Sequence, residues 1–411
     1  MRCCLLLVSF CESLNFFMPT EKFPLSRTFN DFFNSEKSSG ILILFCTLVS
    51  MSIANSMFGE PYLDFWHIEI LGLSIEHWVN DGLMAVFFLF IGLELERELY
   101  SGELSDFKKA LLPCFAAVGG IAVPALIHFG LNADTPTQIG MGIPMATDIA
   151  FALGVLALLG NRVPVSLKIF LTALAVIDDL GAIIVIAIFY TAEISALYLS
   201  AAMGVFALMV VMNRFLRVLS LMPYLLGGAI MWYLMLKSGV HATIAGVMLA
   251  FAIPYSSKQD DEASPSHKLE HFLHKPVAYL ILPLFALANT GIIFETNWAD
   301  NLSTTNSLGI LTGLVIGKPL GIALVTFTVV VLGMCQLPQD MNWKHVIGAG
   351  LLAGIGFTMS IFITNLAYAG NSEMITASKI AILFASLTAG ALGFLWLRLI
   401  PNTHTALKVY P

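Results

Sequence analysis

Apolar runs of about 20 residues, the length that carries an α-helix across a ~30 Å hydrocarbon layer, recur along this chain from Ile41 to Ile400. Short stretches holding most of the charge and the turn formers separate them. Read against that punctuation, the pattern predicts twelve spans centred near residues 48, 88, 120, 147, 177, 206, 227, 246, 284, 318, 357 and 388. No series of ten-residue alternating segments, the signature of a membrane barrel, is present. The expected fold class is therefore an all-α polytopic membrane protein.

One connection breaks the pattern. Trp66 to Ile70 and Leu73 to His77 alternate apolar and polar residues around Leu71-Gly72, which predicts a small β-hairpin in the first external loop, 58–76. An isolated hairpin is marginal in water, so pairing with a copy in a second subunit, a homodimer, stands beside a simple surface flap as its reading.

Composition agrees with the pattern. The chain is 58% apolar and 11% charged, against about 25% charged for an average soluble domain, too little polar surface to cover a soluble globule. The net charge of -7 carries no nucleic-acid footprint, since the charges sit in short loops. Six cysteines (Cys3, Cys4, Cys11, Cys46, Cys114, Cys335) lack metal-ligand or disulfide-framework spacing. The apolar stretch Leu5 to Phe10 after Arg2 is followed by no small-x-small cleavage site and is read as an extension.

Charge placement orients the chain. With a cytoplasmic N-terminus, all but three of the 20 basic residues fall on the cytoplasmic side; Lys237 and Lys379 lie outside and Lys318 within the membrane. The positive-inside tendency then predicts an even number of spans and two cytoplasmic termini. The organisation expected is a cytoplasmic extension over 1–37, a twelve-helix domain over 38–400 and a cytoplasmic tail over 401–411.

Two spans are interrupted alike. Gly142-Ile143-Pro144-Met145-Ala146-Thr147-Asp148-Ile149 and Gly354-Ile355-Gly356-Phe357-Thr358-Met359-Ser360-Ile361 both begin Gly-Ile, place a helix breaker third and end with a hydrogen-bonding residue followed by Ile. They fall in the fourth and eleventh spans, each the middle of a three-helix unit, at about 108–191 and 307–400. The orientation inverts one unit relative to the other, and paired broken helices in an inverted repeat predict a binding site where they cross.

Asp148, Asp178, Asp179 and Lys318 are the charges placed well within spans. Unpaired, each costs about 2.5 to 3.5 kcal/mol by insertion scales, so each requires a partner or a proton. Broken helices leave bare N–H groups at one end and bare carbonyls at the other. Asp148 is expected to offset paired helix N-termini and Lys318 paired C-termini. Asp178 and Asp179 need another account, because adjacent helical positions point about 100° apart. Neighbouring carboxylates also resist ionising together. Such a pair can trade protons for a hard monovalent cation, with Thr147 as a neutral ligand and Asp178 alternating between Lys318 and a proton. A structural salt-bridge cluster is the competing reading.

The residues resemble the NhaA-type sodium/proton antiporters, a family that is itself a standing example of inverted transporter repeats. The resemblance runs from about residue 38 to 398. Its most specific stretches are 80–88, 146–154, Ile177-Asp178-Asp179-Leu180-Gly181-Ala182, Lys237-Ser238-Gly239-Val240-His241-Ala242, Gly317-Lys318-Pro319-Leu320-Gly321 and 354–360. It implies twelve helices with the fourth and eleventh crossing, and a Na+ or Li+ site at Asp179 with Asp178 and Thr147. It also implies Asp148 and Lys318 as compensating charges, and no cofactor beyond the transported Na+, Li+ and H+. Exchange would be electrogenic and pH-regulated, in the bacterial inner membrane, by a homodimer joined partly through the external hairpin. A pH-responsive set would fall on Glu94, Arg97, Glu98, Glu270, His271 and His274, with His241 tuning it. From the residues alone those charges read as an ordinary solvated face. Glu96 stands where a well-known member carries a basic residue.

Enzyme readings fail on spacing. Asp178-Asp179-Leu180-Gly181-Ala182 lacks the third acid of an Asp-Asp-x-x-Asp motif, and no Gly-x-Gly-Asp occurs. A passive cation channel, which need not couple fluxes, is the remaining rival.

Overall fold

The computed structural model describes residues 27–401, apart from 103–104, 192–193, 257–263 and 295–297. Most of the expected N-terminal extension and of the expected tail lies outside the described residues.

The described chain is mostly helical. Helix α1 (Arg27–Ala54) and α2 (Gly59–His67) meet at 115°. A two-residue ladder, β1 (Glu69–Ile70) and β2 (Leu73–Ser74), leads into α3 (Ile75–Tyr100) and α4 (Phe107–Leu131). The first interrupted span is a 3₁₀ limb over Pro136–Met145 followed, after a 42° bend, by α5 (Ile149–Leu158). Then come α6 (Val165–Phe189), α7 (Ala196–Arg214), α8 (Leu221–Ser238), α9 (Ile244–Ala252), α10 (Pro265–Asn289), the short α11 (Trp298–Asn301) and α12 (Thr305–Val331). The second interrupted span is α13 (Trp343–Ala353) and α14 (Phe357–Ala367), bent by 47°, and α15 (Ser372–Leu399) closes the fold.

Among the described residues, seven helices are long and apolar enough to cross a membrane, and ten spans result if each bent pair counts as one. The remaining expected centres, near 227 and 246, fall on the shorter α8 and α9. Exposed Leu208, Ile230, Leu324 and Leu387 belong to an outer apolar surface that suits lipid.

The hairpin is smaller than its alternating pattern suggests. Glu69 pairs with Ser74 and Ile70 with Leu73, while Leu71 and Gly72 take φ of 56° and 80°, the positive-φ pair of a two-residue turn. The expected strand residues Trp66 and His67 instead end α2, where Trp66 is buried and meets Tyr62, four residues back, edge-on at 6.0 Å. Ile75 to His77 begin α3 because Ser74 accepts the His77 N–H at 3.1 Å as an N-cap. Local helix contacts outweigh alternation on both flanks.

A close contact and a wide helical turn shape the centre of the fold. Helices α4 and α12 cross at Gly119 and Gly321. A Cβ on either glycine would overlap the carbonyl oxygen of the other, so the approach is reciprocal and only glycine permits it. Lys318 follows a wide, π-type turn over Gly313–Gly317. Pro319 lacks an N–H and would clash with the carbonyl four residues back in a regular helix; the wide turn relieves that clash. The same device precedes Pro283, over Val277–Ile281.

Candidate functional site

At the first break, Thr147 and Asp148 lie in extended backbone between the 3₁₀ limb and α5. Asp148 N-caps α5, its Oδ1 accepting the Phe151 N–H at 3.1 Å. Its Oδ2 accepts the Thr358 N–H at 3.0 Å and the Thr358 hydroxyl. Thr358 is the second residue of α14, so one carboxylate serves bare N–H groups at the starts of both half-helices. The breaks are also joined by backbone: Asp148 N–H donates to Ile355 O at 2.6 Å. Phe357 N–H donates to Ser386 Oγ at 3.1 Å, and Ser360 Oγ to Ile143 O at 2.7 Å.

The other side of the crossing carries the remaining charges. Lys318, fully buried, donates to Asp178 Oδ2 and, at 2.7 Å, to Thr147 Oγ1. Thr147 Oγ1 lies 2.6 Å from Asp178 Oδ2 and 2.9 Å from Ala353 O, the last carbonyl of α13. A hydroxyl holds one hydrogen, so those two acceptors share it while Lys318 occupies a lone pair. Lys318 therefore reaches the helix end through Thr147, and its direct partner is Asp178.

Asp179 is different. It is fully buried, and neither of its carboxylate oxygens has a hydrogen-bond partner within the protein; Asp178 Oδ1 is also unmatched. Buried polar atoms are satisfied in the great majority of cases, so three unmatched carboxylate oxygens on consecutive residues mark a place with spare coordination capacity. Gly120 of α4 faces the same carboxylate, a Cβ there falling 3.8 Å from Asp178 Oδ1.

A second cluster lies at the end of α3. Arg97 pairs with Glu98 at 2.9 Å, Glu270 at 2.7 Å and Glu94 at 3.7 Å. Glu94 is only 2% exposed, which corrects the solvated-face reading at that residue, and the neighbouring Glu96 is 5% exposed: α10 packs over both. Glu96 receives Ser266 Oγ at 3.3 Å. His274 is half-buried and His271 exposed. Between this cluster and the first break, Glu94, His274, Ile149 and Ala150 help line a cavity of ≈ 20 Å³, room for about one water. His241 sits apart, its Nε2 2.7 Å from Tyr190 O.

The sequence singled out the buried charges and the residue between them. It did not single out Thr358, nor Tyr190 and Tyr368, whose hydroxyls meet the backbone of the 3₁₀ limb at Ile139 O and Thr137 O. Thr358 had a signal in being a hydroxyl just after a helix breaker, the usual capping neighbourhood. The tyrosines had none, since Tyr near a span end ordinarily reads as an interface residue.

Residues 30–397 match the family described as Na+/H+ antiporter 1. The chain is 70% identical over 373 residues to a Na(+)/H(+) antiporter NhaA of Dechloromonas aromatica, covering 91% of this chain and 96% of that protein. It is 57% identical over 380 residues to the Na(+)/H(+) antiporter NhaA 1 of Flavobacterium johnsoniae, covering 92% and 99%. It is 50% identical over 372 residues to the Na(+)/H(+) antiporter NhaA of Vibrio parahaemolyticus, covering 90% and 97%.

Proposed function

The chain belongs to the Na+/H+ antiporter 1 family, and on that premise we propose that it exchanges Na+ for H+ across a membrane with Asp179 as the group for which the two ions compete. It is a transporter, not an enzyme, and its ions are its substrates, with no cofactor required. The observation that carries the site is the pair of buried, unmatched oxygens on Asp179, beside an Asp178 held by Lys318 and Thr147.

A sodium ion accepted by Asp179 draws on the free Oδ1 of Asp178 and on Thr147 as further oxygen ligands. Its charge weakens the hold of Lys318 on Asp178. A proton on Asp179 removes the attraction for sodium, so the two loads exclude each other, and that exclusion is the coupling. Two protons against one sodium would move one net charge per cycle, about 2.3 kcal/mol per 100 mV of membrane potential. Asp148 stabilises the paired N-termini, and Lys318 stabilises both Asp178 and, through Thr147, the end of α13.

The same reading makes residues 108–191 and 307–400 inverted copies within a twelve-span domain; the reciprocal Gly119 and Gly321 approach and the joined breaks support it. The Arg97 cluster with His271, His274 and His241 is the pH-responsive part, supported at Glu94 by its burial beside the cavity that approaches the break. Exposed Ile68, Ile70 and Leu71 around the hairpin favour a homodimer through 58–76, in a bacterial inner membrane with both termini cytoplasmic.

Sodium addition to respiring everted vesicles, with internal acidity followed by a dye across pH ~6.5 to 8.5, tests the exchange. Sodium-dependent loss of acidity is expected, and its absence at every pH in that range would overturn the reading.

A further inference from the structure

The 3₁₀ limb over Pro136–Met145 is ten residues long, whereas such runs seldom exceed three or four because their hydrogen-bond geometry is poor. Something outside the limb has to hold it. Two tyrosines from other elements do so at its backbone. Tyr190, which ends α6, donates its hydroxyl to Ile139 O at 2.8 Å and accepts the Gly142 N–H at 3.2 Å. Tyr368, which ends α14, places its hydroxyl 3.0 Å from Thr137 O and 2.7 Å from Asn306 Oδ1.

The fit on the limb is close. A Cβ at Gly140 would overlap the Tyr368 hydroxyl, and one at Gly142 would come within 2.5 Å of the Tyr190 hydroxyl. Both tyrosines are buried. The single Tyr368 hydrogen is shared between Thr137 O and Asn306 Oδ1, and Asn306 is itself held in place, its amide donating to Ser378 Oγ at 2.8 Å and its Oδ1 facing His128 Nε2 at 3.1 Å.

Limb length matters for the site. At about 2.0 Å per residue a 3₁₀ limb of ten residues is about 5 Å longer than the same residues wound as α-helix at 1.5 Å. The limb ends at Met145, with only Ala146 between it and Thr147, so its winding sets where Thr147 stands relative to Asp178 and Lys318. We propose that Tyr190 and Tyr368 are positioning residues: by clamping the limb in its stretched form they fix Thr147 at the ion site and so set the affinity for sodium. This rests on the site reading given above. The clamp joins the helix carrying Asp178 and Asp179 to the far end of the second broken span, so both halves of the crossing bear on one ligand.

The test uses the full chain in proteoliposomes, comparing the parent with Tyr190→Phe, Tyr368→Phe, the double variant and Gly142→Ala, whose added methyl displaces the Tyr190 hydroxyl without removing it. The KM for Na+ is expected to rise about fivefold or more in the double variant, the weight of one buried hydrogen bond, and to rise also in Gly142→Ala. Turnover at saturating Na+ is expected to stay within about twofold of the parent. Where the double variant does not accumulate, Tyr368→Phe and Gly142→Ala carry the measurement. A parent KM in these variants, whether at full or at reduced maximal rate, overturns the clamp, since loss of folded protein lowers rate and leaves KM alone. Asp179→Asn separates the two levels: retained exchange in it defeats the site reading, whereas an inactive Asp179→Asn beside tyrosine variants of parent KM defeats the clamp alone.

Discussion

Asp148 and Thr358 lie in different broken helices, 210 positions apart in sequence, and are joined by a carboxylate oxygen that accepts the Thr358 N–H at 3.0 Å. The same carboxylate caps its own helix through Phe151. One side chain thus does at two helix starts what each would otherwise need its own cap to do.

Replacing it should therefore cost two caps. Asp148→Ala is expected to lower stability by about 1 to 2 kcal/mol per lost cap, with Asp148→Asn intermediate because one acceptor oxygen remains. Thermal unfolding of the purified protein in detergent measures this. Parent stability in Asp148→Ala would show that the two helix starts are satisfied by other means.

The Lys318 and Asp178 pair predicts non-additive behaviour. Lys318→Ala leaves a buried carboxylate without its cation, which ordinarily costs about 3 to 5 kcal/mol. Adding Asp178→Asn removes the stranded charge, so the double variant is expected to be more stable than Lys318→Ala alone and still deficient in exchange. A double variant whose loss equals the sum of the singles would contradict a direct pairing.

At the α4 and α12 crossing, the reciprocal geometry predicts matching penalties. Gly119→Ala and Gly321→Ala each drive a methyl into the opposing carbonyl, and overpacking of this kind costs about 1 to 3 kcal/mol, with more where backbone must move. Fluorescence-monitored size-exclusion profiles should show similarly reduced amounts of folded protein for both. A loss confined to one variant would contradict the reciprocal contact.

Much of this site is legible in the sequence, for a physical reason. Charge is so costly inside a membrane that Asp148, Asp178, Asp179 and Lys318 stand out by residue type and position, and Pro144 and Gly356 announce the breaks. Partner choice was less legible. Lys318 was expected to pair with Asp178, as it does, and also to offset bare carbonyls, but it reaches Ala353 O only by way of Thr147, because which atom an amine meets depends on side-chain reach across three elements. The hairpin was overextended since Trp66 alternates like a strand residue while packing on Tyr62 at helical spacing. The buried state of Glu94 and Glu96 depends on how α10 covers α3, and no local pattern encodes that. Tyr190 and Tyr368 remained invisible because an aromatic near a span end carries no mark of the backbone it will touch.

Competition of sodium and protons for Asp179 is measured by titrating the purified protein with Na+ in a calorimeter, using buffers of different ionisation enthalpy so that released protons are counted. Sodium binding with proton release is expected for the parent, and neither for Asp179→Asn. Sodium binding with an unchanged proton count in Asp179→Asn would remove Asp179 from the site of competition.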